Sequence, residues 1–184
     1  MKTVEENLTQ YAAYHRDRRN VATHFAGVPM IVFAVILALA TATFTVASMA
    51  FTAAALVSLA ACAYYLRQDL AFGLAMAVAL FAMCAAASEI TARTSTAGAL
   101  GLALLVFTAG WALQFLGHKY EGMKPAFFDD VMQLLIGPLF VCAEIFFLVG
   151  AKPRLRRYIE ERVGPIVRER ASAVAASDDG AATH

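Results

Sequence analysis

The chain reads as an all-α integral membrane protein: a helical bundle of four spans plus a re-entrant helical hairpin, with surface helices at both ends. Three observations predict this class. Across residues 25–66 there is no charged residue, about twice the ~20 apolar positions that one span requires. Further apolar runs follow at 70–87, 97–117 and 131–150. Composition agrees, with 60% of residues hydrophobic, 16% charged and a mean hydropathy of +0.63, as expected of a chain whose solvent is lipid. A net charge of +1 supplies no field for nucleic acid, so none is expected as a partner.

Each element follows from its pattern. In residues 2–19, Val4, Leu8, Tyr11 and His15 recur at helical spacing, with Glu5, Glu6, Arg16 and Asp17 elsewhere. This is an amphipathic helix too polar to span, and it carries no cleavable-signal pattern. The 25–66 run divides near 41–48, where Thr, Ala and Ser turn the chain, into spans near 28–45 and 48–66. Arg67-Gln68-Asp69 is a polar turn before the third span, 70–87. Residues 88–96, with Glu89 and Arg93, read as a loop before the fourth span, 97–117. Gly98, Gly101 and Gly110 in that span permit close helix packing.

The 131–150 run is interrupted by Gly137-Pro138 and carries Glu144. If it spanned, the basic stretch with Lys152, Arg154, Arg156 and Arg157 would lie outside, against the positive-inside rule. A hairpin turning at Gly137-Pro138 removes the conflict, provided it packs against protein. Residues 153–170 repeat Leu155, Ile159, Val163 and Ile166 among basic residues, a surface helix interrupted near Gly164-Pro165 that suits anionic lipid. Residues 171–184 are Ala, Ser, Asp and Gly, ending in His184, and read as a disordered tail without a functional role. The chain therefore divides into a membrane-embedded catalytic domain 1–152, a basic surface helix 153–170 and a tail 171–184. Cys62, Cys84 and Cys142 sit in apolar runs at no metal-ligand spacing and read as small hydrophobes.

Two polar islands interrupt this scaffold. His15 and His24 are nine residues apart, on opposite faces of any single helix. Arg16, Arg18 and Arg19 suit a helix C-terminus, and Asn20 suits the N-cap of a new helix, so a bend there lets both rings converge. The second island is His118, one turn after Gln114 and one turn before Glu121, with Gly122 and Pro125 ending the helix. Gln114 or Glu121 would orient the His118 ring. Four spans between His24 and His118 return the chain to one face. Lys2, Arg16, Arg18 and Arg19 make that face cytoplasmic, which means the inner membrane in a bacterium or the endoplasmic reticulum in a eukaryote. A single histidine at a helix end is commonly an interfacial residue; three together suggest a shared metal site. Glu144 at membrane depth is a functional candidate, as a further ligand or as a hydrogen-bonded packing residue.

The two islands also resemble a known family. Tyr14, His15, Asn20, His24, Gly27 and Pro29, followed by Gly117, His118, Glu121, Pro125 and Ala126, match the paired motifs of the small membrane family of the fungal 2-hydroxy fatty acid dioxygenase. Phe127-Phe128-Asp129-Asp130 and the segment from Pro138 to Glu144 are similar too, so the likeness covers roughly residues 10–150. It implies a membrane-bound, Fe(II)-dependent oxygenase that shortens a 2-hydroxy fatty acid by one carbon, an α-oxidation serving sphingoid-base breakdown in fungi. It also implies His15, His24 and His118 as iron ligands, with O2 and a fatty acyl substrate as partners beside membrane lipid. Tyr14 and Glu121 would orient ligands or move protons. Arg16, Lys119 or Lys124 would meet the substrate carboxylate. The residues alone leave two other readings open. Three histidines and a water also make a zinc hydrolase of lipids, and a transporter or scaffold needs no metal. Oligomeric state is not encoded in these patterns.

Overall fold

The computed structural model describes residues 2–46, 48–125 and 130–167. Ala126, Phe127, Phe128 and Asp129 of the second motif, and the tail with His184, lie outside them. In chain order the elements are α1 (Val4–Ala12), α2 (Arg18–Ala40), β1 (Thr43–Val46), β2 (Met49–Thr52), α3 (Ala53–Gln68), α4 (Leu70–Arg93), α5 (Thr96–Glu121), α6 (Gln133–Leu148) and α7 (Pro153–Val163). The all-α class holds, with one small antiparallel hairpin in which Thr43 faces Thr52 and Phe44 faces Phe51. That hairpin occupies the stretch expected to turn the chain, so the first span ends at Ala40 rather than near 45.

Three helices, α2, α4 and α5, are long and apolar enough to cross a membrane. The α6–α7 pair, bent by 115° at its break, makes up to four. Helix α3, expected as a span, has 16 residues, short of the ~20 that one crossing takes. The expected loop 88–96 is mostly helix: α4 continues to Arg93, where Glu89 and Arg93 form an i,i+4 ion pair. The chain divides into two compact units. One comprises residues 1–28 with 112–184, and the other residues 29–111.

The second unit holds most of α2, the hairpin, α3, α4 and most of α5. Here α3 packs against α4 at Gly73, where a β-carbon would fall under 3.0 Å from the Leu66 backbone. Asp69 caps α4 by accepting the Phe72 N–H. Many large side chains point outward: Val78 is 72% exposed and Phe81 77%.

The first unit is built differently. Helix α1 opens on a capping box in which Thr3 and Glu6 satisfy each other's backbone N–H groups. It ends at Ala12 rather than near 19, because the Tyr14 and His15 amides bond three residues back, to Tyr11 and Ala12. Its apolar face packs on α6 and α7. Asp17, not Asn20, caps α2: its Oδ1 accepts the Arg19 N–H at 2.8 Å, and its other oxygen pairs with the Arg19 guanidinium. The three arginines thus stand around the start of α2 rather than at the end of α1, and Asp17 offsets the unfavourable charge–dipole arrangement.

The expected break at Gly137-Pro138 is absent; α6 runs through Pro138. Gly137 instead lets Tyr11 approach, since a β-carbon there would lie 3.0 Å from the phenol oxygen. The turn falls at 149–152, where Gly150 and Lys152 take positive φ of 76° and 56°. The excursion nevertheless returns to its origin. It leaves from Glu121, bonded to the backbone of Arg16 and Asp17. It comes back at Val167, which bonds Arg16 and Arg18 at 2.7 and 2.8 Å. Both ends meet one linker, residues 13–17.

Candidate metal centre

The linker delivers His15, the start of α2 delivers His24, and the end of α5 delivers His118. All three are buried, with at most 6% of their surface exposed. One ligand nitrogen from each lies within 4.8 Å of the others, and no other cluster of histidine, cysteine or carboxylate with that geometry exists among the described residues. His15 Nδ1 is 2.7 Å from the Tyr11 carbonyl, and His24 Nδ1 is 2.9 Å from the Asn20 carbonyl. A carbonyl only accepts, so both Nδ1 atoms carry protons and both Nε2 atoms present lone pairs when the rings are neutral. Those two lone-pair atoms face each other at 3.0 Å. Left alone in a buried site this opposition is unfavourable; a cation between them turns it into shared ligation. With bonds of ~2.1 Å, two ligands at a right angle stand about 3.0 Å apart. Among the described residues His118 Nδ1 meets no acceptor in hydrogen-bond geometry, although the Met123 backbone lies close. The donor set therefore fits a metal ion.

Electrostatics favour the ligating form. Burial, then the neighbouring His24 and His118, hold the His15 imidazole well below its usual range, so it stays neutral. Tyr11 stacks on His15 with ring centres 4.1 Å apart and planes nearly parallel. Burial raises its phenol above the ordinary tyrosine range, so it remains O–H. Tyr11 thus both stacks on and orients His15. The signal for it in the sequence is the four-residue step from Tyr11 to His15, which also fits an amphipathic helix. Asp17 was likewise legible as an Asx residue opening an apolar helix.

The other expected residues divide. Glu121 is 3% exposed and accepts from the Arg16 and Asp17 amides and from Asn20 Nδ2, one turn beyond His118. Asn20 also reaches the Tyr14 carbonyl, which is how Tyr14 enters the site. Gln114 is buried, and its Nε2 has no hydrogen-bond partner among the described residues. Arg16 donates from Nε to the His15 carbonyl and from Nη1 to the Gly164 carbonyl. Glu144 is not among the converging ligand atoms; it lines a small cavity with Arg16, Arg156, Glu160 and apolar side chains. Lys119 and Lys124 are exposed.

Fold and site together define a helical membrane protein with a buried three-histidine centre. The particular family is equally plain: the chain belongs to the Mpo1-like family, whose model, described as 2-hydroxy-palmitic acid dioxygenase Mpo1-like, matches residues 1–149. It is 31% identical over 160 residues to the 2-hydroxy-palmitic acid dioxygenase MPO1 of Saccharomyces cerevisiae, covering 85% of this chain and 87% of the yeast protein. No solved structure matches the chain.

Proposed function

We propose that this protein is an Fe(II)-dependent dioxygenase that shortens 2-hydroxy fatty acids by one carbon in lipid and sphingoid-base metabolism. The observation that carries the metal is the pair of Nε2 lone pairs opposed at 3.0 Å. Family membership carries the reaction class. His15, His24 and His118 would hold the ion, and imidazole donors suit Fe(II) with positions left open. Iron so held would supply a common binding point for O2 and the 2-hydroxy acid. The reaction balances without an external reductant: R–CHOH–COOH and O2 give R–COOH, CO2 and water.

The chain's own groups have defined parts. The two carbonyls at Tyr11 and Asn20 fix the tautomers of His15 and His24. The Gln114 amide, buried and unpartnered one turn before His118, is the donor a substrate oxygen would meet. Lys119 and Lys124, exposed beside the end of α5, suit the approach of a carboxylate. The apolar outer faces suit a lipid environment from which an acyl chain enters. The basic residues Arg16, Arg18 and Arg19 support a cytoplasmic location for the site.

The test is to give the detergent-extracted full chain Fe(II), O2 and 2-hydroxypalmitate. The expected product is the fifteen-carbon acid, with carbon 1 released as CO2. Palmitate, lacking the second chelating oxygen, should not react. Turnover without O2, or turnover restored to a chelated enzyme by Zn(II), would replace this reading with a hydrolytic one.

A further inference from the structure

Glu121 sits where the three histidine supports meet. It lies one turn beyond His118 on α5. Its Oε1 and Oε2 each accept the Arg16 N–H at 3.0 Å, directly after His15. Its Oε2 also accepts the Asp17 N–H at 2.8 Å and Asn20 Nδ2 at 3.0 Å. Asn20 in turn offers the carbonyl that orients His24. The linker holding His15 has no regular secondary structure to fix it, so its backbone donors need an acceptor from elsewhere. The helices also come unusually close here: a β-carbon at Gly117 would fall under 3.0 Å from Thr23 Oγ1 and Asn20 Oδ1. That absence of a side chain lets α5 bring Glu121 within reach.

We propose that Glu121 is the positioning residue of the centre, acting as a hydrogen-bond post rather than as a ligand or a proton carrier. This rests on the metal-centre reading. A post needs reach and acceptor oxygens; a ligand or proton carrier needs ionisation. Glutamine can place its one oxygen where Oε2 stands and keep the bonds to Asp17 and Asn20, while its NH2 takes the place of the oxygen that Arg16 N–H shares. Aspartate keeps the charge but withdraws the oxygens by one methylene. Glu121→Gln should therefore outperform Glu121→Asp, the reverse of the order for a ligating carboxylate.

The experiment is a Co(II) titration of the full chain in detergent, read from the visible d–d bands. Glu121→Ala should weaken Co(II) binding about 10–100-fold, the usual loss when an outer support of a ligand is removed. Glu121→Gln should lose clearly less than Glu121→Ala, since an acceptor oxygen stays in place while charge assistance and the second oxygen are lost. In a His15→Ala background Glu121→Ala should cost clearly less than in the wild type, because only the support to His24 through Asn20 is left to lose. Equal damage from Glu121→Gln and Glu121→Ala would overturn the proposal, as would an undiminished Glu121→Ala effect without His15. If Glu121→Ala fails to fold, the order of the Gln and Asp variants decides. A wild-type chain that takes up no Co(II) removes the metal centre itself, and the proposal with it.

Discussion

The two units solve opposite problems with the same helices. In the unit of residues 29–111 the buried residues are nearly all apolar, Ser58 near Cys84 being an exception, while Leu59, Val78, Phe81 and Leu105 stand largely exposed. In the other unit Asn7, His15, Arg16, Asp17, Asn20, His24, Gln114, His118, Glu121, Gln133 and Glu144 are all buried. The first arrangement is tolerable only where the solvent is apolar. The second is tolerable only where nearly every polar group is bonded, because an unpaired buried group costs about 1–3 kcal/mol. Chemistry therefore belongs to the polar unit, and the outward apolar faces of the other unit suit lipid.

The sharpest way to break this comparison is to substitute one residue in each unit. His24→Ala removes a buried ligand and should abolish turnover and lower metal affinity by more than about 100-fold, read by metal analysis after anaerobic purification. His15→Ala and His118→Ala should do the same. Phe81→Ala, at a position 77% exposed, should leave metal content unchanged. Full occupancy in the histidine variants would dissolve the centre.

This division also explains what was legible. Apolar runs announce lipid-facing helices by composition alone, and the end of α5 at Gly122 was readable because glycine takes the positive φ there, 70°. The convergence of His15 and His24 is readable from helix geometry and a bend between them; that of His118 follows in the sequence only from a count of four spans, of which α3, at 16 residues, is short. The linker's hydrogen bonds were not readable. Nothing local in Glu121 says that it accepts from amides about a hundred positions earlier; spacing alone relates it only to His118 one turn before. The α6 break was misplaced for a related reason. Proline inside an apolar helix looks like a turn, yet Gly137 beside it was meeting Tyr11. The short α3 was masked because the hairpin before it is as apolar as a helix.

A second contrast concerns protons. His15 is neutral when folded and takes a proton near 6.5 when unfolded. Below that pH the unfolded chain binds the proton first, so stability is fully present above 6.5 and is lost as pH falls towards the depressed folded value. The loss approaches ~1.4 kcal/mol per pH unit for one such group. Thermal unfolding in detergent should show a lower midpoint at pH 5.5 than at 7.5. His15→Phe keeps a ring against Tyr11 but takes no proton, so its curve should be flatter. An equal slope in that variant would locate the acid sensitivity elsewhere.

The smallest expected effect concerns the other edge of the same linker. Val167 donates its N–H to the Arg16 carbonyl at 2.7 Å and accepts from the Arg18 N–H at 2.8 Å, while Arg16 Nη1 reaches the Gly164 carbonyl at 2.9 Å. These contacts come from beyond the residues matched by the family model, 1–149, so this chain supports His15 with a segment the family pattern does not include. The pairing is through backbone, and a side-chain change alone should not register: Val167→Ala should leave Co(II) affinity unchanged. Val167→Pro deletes one N–H and should cost about 1 kcal/mol, roughly a fivefold weaker affinity. Equal affinities for both variants would mean that Glu121 alone holds the linker and that the C-terminal segment merely rests on it.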